Sequence, residues 1–383
     1  MDVFSHLLWL RRRFGRAALL AAVVVIAFVG TRAIAFAAMH AGAARAHPRF
    51  AGIWERHDSH LALGVPPSKL VEPLIRWDAL FYIHLARNGY PPAREETVYS
   101  ANFFPLYPLL VRAGDRLLGN TYASSLILSN ACALAAALLV AFSRREGSRS
   151  WDGARAAVAL LAFPGSHFLS LPYSEGLFLL LAVASLLWLE RGLQWRSGLA
   201  AAAACATRSA GVALIVALLW EGADRLRRST RSPGAWFGAA ALAAGGLATY
   251  CAFCSQRYGH PFYWVRSQAS FGRVFTLTGP LRALFGFNVD PDYYLVTIAC
   301  IVVTVLLARR RLDASIAAGF VLLVLPMASG TLKAMIRYQT VNVPLFCGVA
   351  EILRGRWFAW TIAASTALMA VEAFLYGRGL AHY

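Results

Sequence analysis

Long apolar runs recur along the chain, and the first covers residues 17 to about 38. A helix that crosses a membrane needs about 20 predominantly apolar residues. After a more polar stretch over 40–120, ten further runs follow: 121–142, 155–171, 176–189, 198–206, 210–220, 235–254, 293–308, 314–329, 340–353 and 357–376. The pattern predicts an all-α polytopic membrane protein with about eleven transmembrane crossings, in a single integral membrane domain over 1–383. For the first run a cleaved signal peptide is the alternative, because Arg32 shortens its apolar core.

Arginine-rich segments between the runs predict how the chain is oriented. They cover residues 11–16, 144–155, 191–196, 225–231, 309–311 and 354–356. Short loops rich in arginine stay in the cytoplasm. The other connections then lie on the extracytoplasmic side: the large first loop 40–120 and the segments 172–175, 255–292 and 331–340.

Two neighbouring runs, 198–206 and 210–220, are each too short to cross a bilayer, since about ten helical residues span only about 15 Å. We therefore expect a short helical hairpin over 198–220, with Thr207-Arg208-Ser209 at its tip within the bilayer. An arginine at that depth costs at least ~2.5–3.5 kcal/mol on insertion scales. Arg208 should therefore have an anionic partner, which is either a lipid phosphate or a protein acid such as Glu175.

The composition supports a membrane protein and excludes a soluble enzyme. Hydrophobic residues make up 58% of the chain and charged residues 15%, with a mean hydropathy of +0.54. Soluble domains are about half apolar and about a quarter charged. The net charge of +18 comes without a basic stripe or a recognition motif, so nucleic acid is not an expected partner.

The first loop contains a segment, 76–90, whose apolar residues recur at the spacing of one helix face: Trp77, Leu80, Phe81 and Leu85. It predicts a short amphipathic helix at the membrane surface, ending at Gly89. Asp78 would lie in its first turn, where the helix dipole favours a carboxylate. From these residues alone, a functional role for Asp78 and a plain helix-start pair with Arg76 are both open. His84, nearly two turns later, is a possible neighbour of the same site.

A second motif in the first loop is Phe103-Phe104-Pro105-Leu106-Tyr107-Pro108-Leu109-Leu110. Its aromatic residues suit a membrane interface and a ligand site alike. Together with Arg76-Trp77-Asp78 and Gly89-Tyr90, it resembles the PIG-V family of mannosyltransferases, within the GT-C superfamily. Further segments resemble that family's motifs in the same order, with Ala210 in place of a usual Asn: 171–178, 206–211, 258–273 and 336–346.

The resemblance implies a GT-C-type glycosyltransferase whose donor is a sugar linked to polyprenyl or dolichyl phosphate. Such enzymes add a hexose, mannose in this family, to a glycan or glycolipid acceptor on the far side of the membrane. The acidic residue that they carry in the first outer loop matches Asp78 here, which we expect to be catalytic. The candidate substrate-binding residues are Arg76, Trp77, His84, Glu175, Arg208, Arg266, Gln268 and Arg337.

Structural alternatives exist for several of these candidates. Glu175 follows Ser174 at a predicted helix start, where capping explains an acid. Arg337 precedes a span on the outer side, where it could extend to the lipid headgroups. Arg32, late in the first span, could face the site or the headgroups. An aromatic segment around Arg266 and Gln268 suits sugar rings and interfaces alike.

The chemistry agrees with a single carboxylate base. A sugar hydroxyl is a poor nucleophile at neutral pH, and a carboxylate in hydrogen-bond reach can take its proton. A lipid phosphate already leaves as a stable anion, so guanidinium groups can replace a general acid. One displacement at the anomeric carbon inverts its configuration. No cofactor is expected, and no His/Asp cluster has the spacing of a metal site.

Two functions from other classes remain as rivals. A transporter or lipid flippase would place ionisable groups in broken helices at mid-membrane, as Arg208 is expected to lie. A non-catalytic member of the family would serve as a scaffold in a complex. For an enzyme, the expected location is a bacterial inner membrane with the site facing the periplasm, or the ER membrane with a lumenal site in a eukaryote.

Overall fold

The computed structural model describes residues 3–46, 67–92, 95–143, 152–229, 232–287 and 289–380, and all regular structure within them is helical. The α-helices are α1 (Val3–Ala43), α2 (Asp78–Asn88), α3 (Leu106–Leu118), α4 (Thr121–Phe142), α5 (Asp152–Ala162), α6 (Glu175–Glu190), α7 (Gln194–Thr207), α8 (Val212–Arg227), α9 (Pro233–Tyr258), α10 (Tyr263–Arg266), α11 (Gly279–Phe285), α12 (Pro291–Arg310), α13 (Ala314–Met327), α14 (Met335–Gln339), α15 (Val343–Ile352) and α16 (Gly355–Arg378). Short 3-10 helices cover Glu72–Leu74, Glu95–Asn102, Pro164–Ser170, Ser209–Gly211 and Ser267–Phe271.

Five of the described helices are long and apolar enough to cross a membrane: α1 from Ala17 onward, α4, α9, α12 and α16. A sixth crossing is possible if the 3-10 helix Pro164–Ser170 and α6, which meet at 100°, form one bent span. The other apolar helices, among them α13 and α15, are shorter. The chain is therefore an all-helical integral membrane protein, and the expected number of about eleven crossings stays a prediction.

Helices α1 and α16 pack closely against each other, and glycines at their contact explain why they can. A Cβ atom at Gly42 would overlap the carbonyl oxygen of Phe374, and one at Gly377 would overlap that of Met39. Small residues let two backbones approach to van der Waals contact, which drives helix association in membranes. This contact positions α16, whose Tyr376 contributes to the site described below.

Arg32 stabilises the bend between α5 and α6. Its buried guanidinium donates hydrogen bonds to the carbonyl oxygens of Leu161, at 2.9 Å, and Ser166. It also donates to the hydroxyls of Ser166, at 2.8 Å, and Ser170, at 3.2 Å. Non-helical backbone at membrane depth must find its partners within the protein, and Arg32 supplies several of them here. Its guanidinium thus contacts this bend.

The chain breaks between α7 and α8 at the position that the two short apolar runs indicate. Arg208 is extended there, with φ −159° and ψ 151°, and the 3-10 turn Ser209–Gly211 follows it. Both helices pack against α9. The break turns the Arg208 side chain toward the start of α6, where Glu175 lies. The position of this hairpin within the bilayer stays a prediction.

Candidate active site

Asp78 is the first residue of α2, and an unusual backbone turn directly precedes it. The preceding residue, Trp77, has φ +53°. A non-glycine residue in such a sparsely populated region costs of order 1–3 kcal/mol. Two tyrosines stabilise the turn: the hydroxyls of Tyr173 and Tyr376 lie 3.1 and 3.0 Å from the carbonyl oxygen of Arg76. The Tyr376 hydroxyl also accepts a hydrogen bond from the backbone N–H of Arg76 at 3.1 Å.

Glu175 is the second carboxylate of the site, at the first turn of α6, and it is fully buried. Its Oε1 accepts hydrogen bonds from Arg208 and Arg337 in two short ion pairs. Arg208 comes from the break between α7 and α8, and its Nη1 also lies 3.4 Å from the hydroxyl oxygen of Ser174. Of the two partners expected for Arg208, the structure thus shows the protein acid Glu175.

Arg337 joins the two carboxylates. Its Nε donates to Glu175, and its Nη1 donates to Oδ2 of Asp78 at 2.5 Å. The guanidinium lies over the ring of Tyr173, 4.6 Å from its centre. Burial alone would lower the pKa of Arg337, but Glu175 and Asp78 raise it above its ordinary value. Arg337 therefore stays charged and links α2, α6 and α14.

The two carboxylates differ in what can reach them. The Glu175 side chain is 0% exposed and accepts from two guanidinium groups, whereas the Asp78 side chain is 25% exposed and accepts from one. A buried charge held by two cations has little freedom to take up a proton from a substrate. Asp78 is therefore the carboxylate suited to act as a base.

Tyr82 extends the site by one helical turn. It lies four residues after Asp78, on the same face of α2, and its hydroxyl is 2.7 Å from that of Ser174. Burial raises the pKa of Tyr82 well above its ordinary value, so the phenol remains protonated. The i, i+4 relation to Asp78 was the available sequence signal for this residue.

The side chains of Arg76 and His84 have partners of their own. Arg76 is buried, and its guanidinium donates to the carbonyl oxygen of Glu72 at 2.6 Å. His84 is buried, with its Nδ1 3.2 Å from the amide nitrogen of Asn88.

Two further candidates belong to the 263–271 segment. Arg266 is exposed, and the amide of Gln268 donates to Oδ1 of Asn102 at 2.8 Å.

Trp77, the last of the predicted substrate-binding residues, adjoins Asp78 in the turn before α2 and is half-buried. Its role in substrate binding, like those of Arg76, His84, Arg266 and Gln268, stays a prediction, whereas Asp78, Glu175, Arg208 and Arg337 are brought into one cluster.

Two residues that sequence reasoning did not single out also contact the cluster. The ring of Tyr338 lies beside Arg208, with the guanidinium carbon 5.7 Å from the ring centre. Arg273 donates from Nη1 to the Tyr338 hydroxyl at 2.6 Å. The sequence evidence for these two residues was weak. Tyr338 directly follows Arg337, and Arg273 is the last residue of the segment 258–273 that resembles a family motif.

Metal binding has no candidate within the described ranges, where no three His, Cys, Asp or Glu side chains form a group that could hold an ion. The site instead combines carboxylates with guanidinium groups. Such a set can accept a proton at Asp78 and bind an anion through its arginines. A metal-independent reaction stays a prediction.

The fold and the cluster define an integral membrane protein with a partly exposed carboxylate beside the buried Arg337 and the mostly buried Arg208. Residues 62–224, which include Asp78, Glu175 and Arg208, match the family described as Mannosyltransferase (PIG-V). The resemblance of this chain to the PIG-V family of mannosyltransferases is thereby confirmed.

Curated relatives agree with the family match. The chain is 32% identical over 178 residues to GPI alpha-1,6-mannosyltransferase 2 of Cricetulus griseus, covering 42% of this chain and 34% of the relative. It is 33% identical over 170 residues to the proteins of that name from Rattus norvegicus and Mus musculus, covering 39% of this chain and 33% of each relative. The matches thus span about a third of the length of these relatives.

Proposed function

We propose that this protein is a membrane-bound mannosyltransferase. It transfers mannose from a polyprenyl- or dolichyl-phosphate donor to a hydroxyl group of a lipid-linked or glycan acceptor, on the extracytoplasmic side of the membrane. The family match and the names of the relatives support transfer of mannose. The observation that carries the proposal is a partly exposed Asp78, bound to a buried arginine, at the start of a helix in the first outer loop.

The proposed step is a single displacement. The acceptor oxygen attacks the anomeric carbon of mannose while Asp78 takes the hydroxyl proton. The bond between that carbon and the phosphate oxygen breaks, and its electron pair stays on the phosphate. The products are a mannosylated acceptor and a prenyl phosphate. Inversion turns a β-linked donor into an α-linked product, which fits the alpha linkage in the name of the relatives.

Asp78 fits this step better than Glu175 does. Its greater exposure leaves room for a substrate hydroxyl, while Arg337 holds the carboxylate in one orientation. Among the described residues Arg337 alone donates to the Asp78 side chain, which leaves its other lone pairs available. Glu175 then acts as a positioning residue, because it fixes Arg337 and Arg208 around the base.

The donor is proposed from the chemistry of the leaving group. A phosphate departs as an anion and needs cations, not a second acid. The site offers guanidinium groups, and among the described carboxylates of the cluster only Asp78 is accessible. In the proposed orientation, Asp78 belongs to the outer loop 40–120. The aromatic segment around Arg266 and Gln268 belongs to the outer segment 255–292. The site would face the periplasm of a bacterium or the ER lumen of a eukaryote.

Incubation of the purified full-length protein with radiolabelled prenyl-phosphate mannose and a membrane lipid extract tests the proposal. We expect a labelled lipid or glycan product that forms with the wild-type protein. A matching preparation with labelled prenyl-phosphate glucose tests the choice of hexose. Absence of any labelled product with every prenyl-phosphate sugar, from a folded protein, would contradict the proposal.

A further inference from the structure

Arg273 brings a third guanidinium group to the cluster from the outer segment 255–292. Its Nη1 donates to the Tyr338 hydroxyl at 2.6 Å, and its guanidinium carbon lies 5.5 Å from the centre of the Tyr338 ring. Arg208 and Arg337 lie 5.7 and 6.0 Å from the centre of the same ring. One tyrosine thus has three guanidinium groups beside it.

The three arginines differ in their anionic partners. Arg208 and Arg337 are paired with Glu175, and Arg337 also with Asp78. Among the described side chains, no carboxylate forms an ion pair with Arg273, which donates instead to the neutral Tyr338 hydroxyl. Counted over these described side chains, three guanidinium groups and two carboxylates give a net charge of +1, and Arg273 is the arginine without a carboxylate partner among them.

We propose that Arg273, oriented by Tyr338, forms with the neighbouring arginines a binding site for the phosphate of the prenyl-linked donor. This inference rests on the proposed function. A phosphodiester donor carries one negative charge, which equals the excess positive charge of the cluster. The planar guanidinium fork suits phosphate oxygens.

The charge match holds through the reaction. When the bond between the sugar and the phosphate breaks, the electron pair leaves the phosphate with a second negative charge. The proton that Asp78 takes up neutralises that carboxylate and raises the charge of the cluster by one. The positive charge of the site therefore equals the negative charge of the phosphate both before and after the reaction. When the phosphate gains its second negative charge, Asp78 becomes neutral, so Arg337 has one charged partner fewer.

The local backbone holds Arg273 in place. Gly272, with φ +69°, ends the 3-10 helix Ser267–Phe271, and the N–H of Arg273 donates to the carbonyl oxygen of Gln268 at 3.2 Å. Glycine adopts this left-handed conformation without the steric cost that other residues incur. The turn fixes the direction in which the Arg273 side chain leaves the loop.

The residues after Arg273 indicate a lipid-linked phosphate instead of a free one. A run of exposed apolar side chains follows it, of which Leu277 is fully exposed: Val274, Phe275, Leu277, Leu281 and Phe285. Exposed apolar patches of this kind mark contact with lipid or an apolar ligand. A prenyl chain lying against them would bring its phosphate to Arg273.

Arg273→Gln in the full-length protein tests this site, with Arg282→Gln as the control. Arg282 is an exposed arginine of the same outer segment, in α11, and its substitution removes the same charge. Two quantities are measured in detergent: the dissociation constant of farnesyl phosphate and the KM for prenyl-phosphate mannose. We expect Arg273→Gln to raise both about tenfold or more and Arg282→Gln to change them less than twofold.

Further arms identify the ligand and the role of the tyrosine. Tyr338→Phe should weaken farnesyl phosphate binding in the same direction as Arg273→Gln, because the hydroxyl that orients the guanidinium is gone. Inorganic phosphate and phosphatidylglycerol should compete with farnesyl phosphate only at concentrations at least tenfold above its dissociation constant. Equally tight competition by either would overturn the assignment to a prenyl-linked phosphate.

The results separate this inference from the proposed function. Unchanged farnesyl phosphate binding and unchanged KM in Arg273→Gln, with active wild-type protein, would overturn the inference and leave the proposed function standing. Arg273-dependent binding of farnesyl phosphate by a protein that transfers no sugar would uphold the site and contradict the transferase. Unfolding temperatures of all variants, measured in the same detergent, distinguish loss of binding from loss of fold.

Discussion

Asp78 and Glu175 share one arginine, yet their surroundings assign them different tasks. Glu175 is sealed from solvent and accepts from two guanidinium groups, so its charge holds the cluster together. Asp78 is partly exposed, and within the described part of the chain Arg337 is its one guanidinium partner. A base needs access to its substrate, and an anchor needs burial among its partners. Side-chain surroundings therefore distinguish the two carboxylates where residue type cannot.

Glu175→Gln should destabilise the protein more than Asp78→Asn does. Removing one partner of a buried ion pair leaves an uncompensated charge, at a cost of about 3–5 kcal/mol. Among the described residues, Arg208 would lose its only carboxylate partner, whereas Arg337 would keep Asp78. Thermal unfolding of both variants in one detergent measures the difference. Equal unfolding temperatures for the two variants would show that Glu175 is not the anchor.

Several of the site residues could be predicted from the sequence because they lie in compact motifs. Arg76-Trp77-Asp78, the segment around Glu175 and the break at Arg208 each have a local signal, and the structure brings Asp78, Glu175 and Arg208 into one cluster. The contact between Arg273 and Tyr338 joins residues 65 positions apart. No local pattern marks such a pair, since it depends on how the outer segment folds back.

At the level of elements, apolar length predicted the helices well and their breaks in part. The runs 121–142 and 235–254 correspond to α4 and α9. The run 155–171 divides into α5 and the 3-10 helix Pro164–Ser170, where Pro164 and the carbonyls bound by Arg32 end the regular helix. Hydropathy does not detect such a bend, because buried non-helical residues are as apolar as helical ones.

Gly377→Ala should weaken the packing of α1 against α16. Any side chain there meets the backbone of Met39, and overpacking of a tight contact costs about 1–3 kcal/mol. Because Tyr376 is the preceding residue and bonds to Arg76, we also expect slower sugar transfer. Unfolding temperature and initial transfer rate measure the two effects.

Gly245→Ala is the matched control for this substitution. Gly245 lies within α9, and a Cβ atom there meets nothing within 4 Å. The change should leave stability equal or slightly higher, because alanine is favoured over glycine in a helix by about 1 kcal/mol. A similar loss of stability in both variants would contradict the close-contact explanation.

For the whole molecule, the arginine-rich connections predict an orientation that the helices themselves do not reveal. The segment 255–292 is expected outside and the connection between α8 and α9 inside. Spans are recognisable by their apolar composition. The side of the membrane on which each end lies depends instead on the arginines and lysines of the short loops. The count of about eleven crossings likewise depends on short helices such as α13 and α15, whose lengths alone do not show whether they cross.

Cysteine labelling tests this orientation. Ser270→Cys lies in the outer segment and Ser229→Cys after α8, and both serines are exposed. In a background where the half-buried Cys251 and Cys347 are replaced by Ser, a membrane-impermeant maleimide added outside should label position 270 and not 229. The reverse pattern would place the site on the cytosolic side and contradict the proposed topology.

The central claim is that Asp78 takes the proton from the acceptor hydroxyl, and Asp78→Asn tests it most directly. The variant keeps the size of the side chain and removes its basicity, so we expect the rate of transfer from prenyl-phosphate mannose to fall about 100-fold or more. Farnesyl phosphate binding and the unfolding temperature should stay close to those of the wild-type protein. A transfer rate equal to that of the wild type would contradict the role of Asp78 as the base.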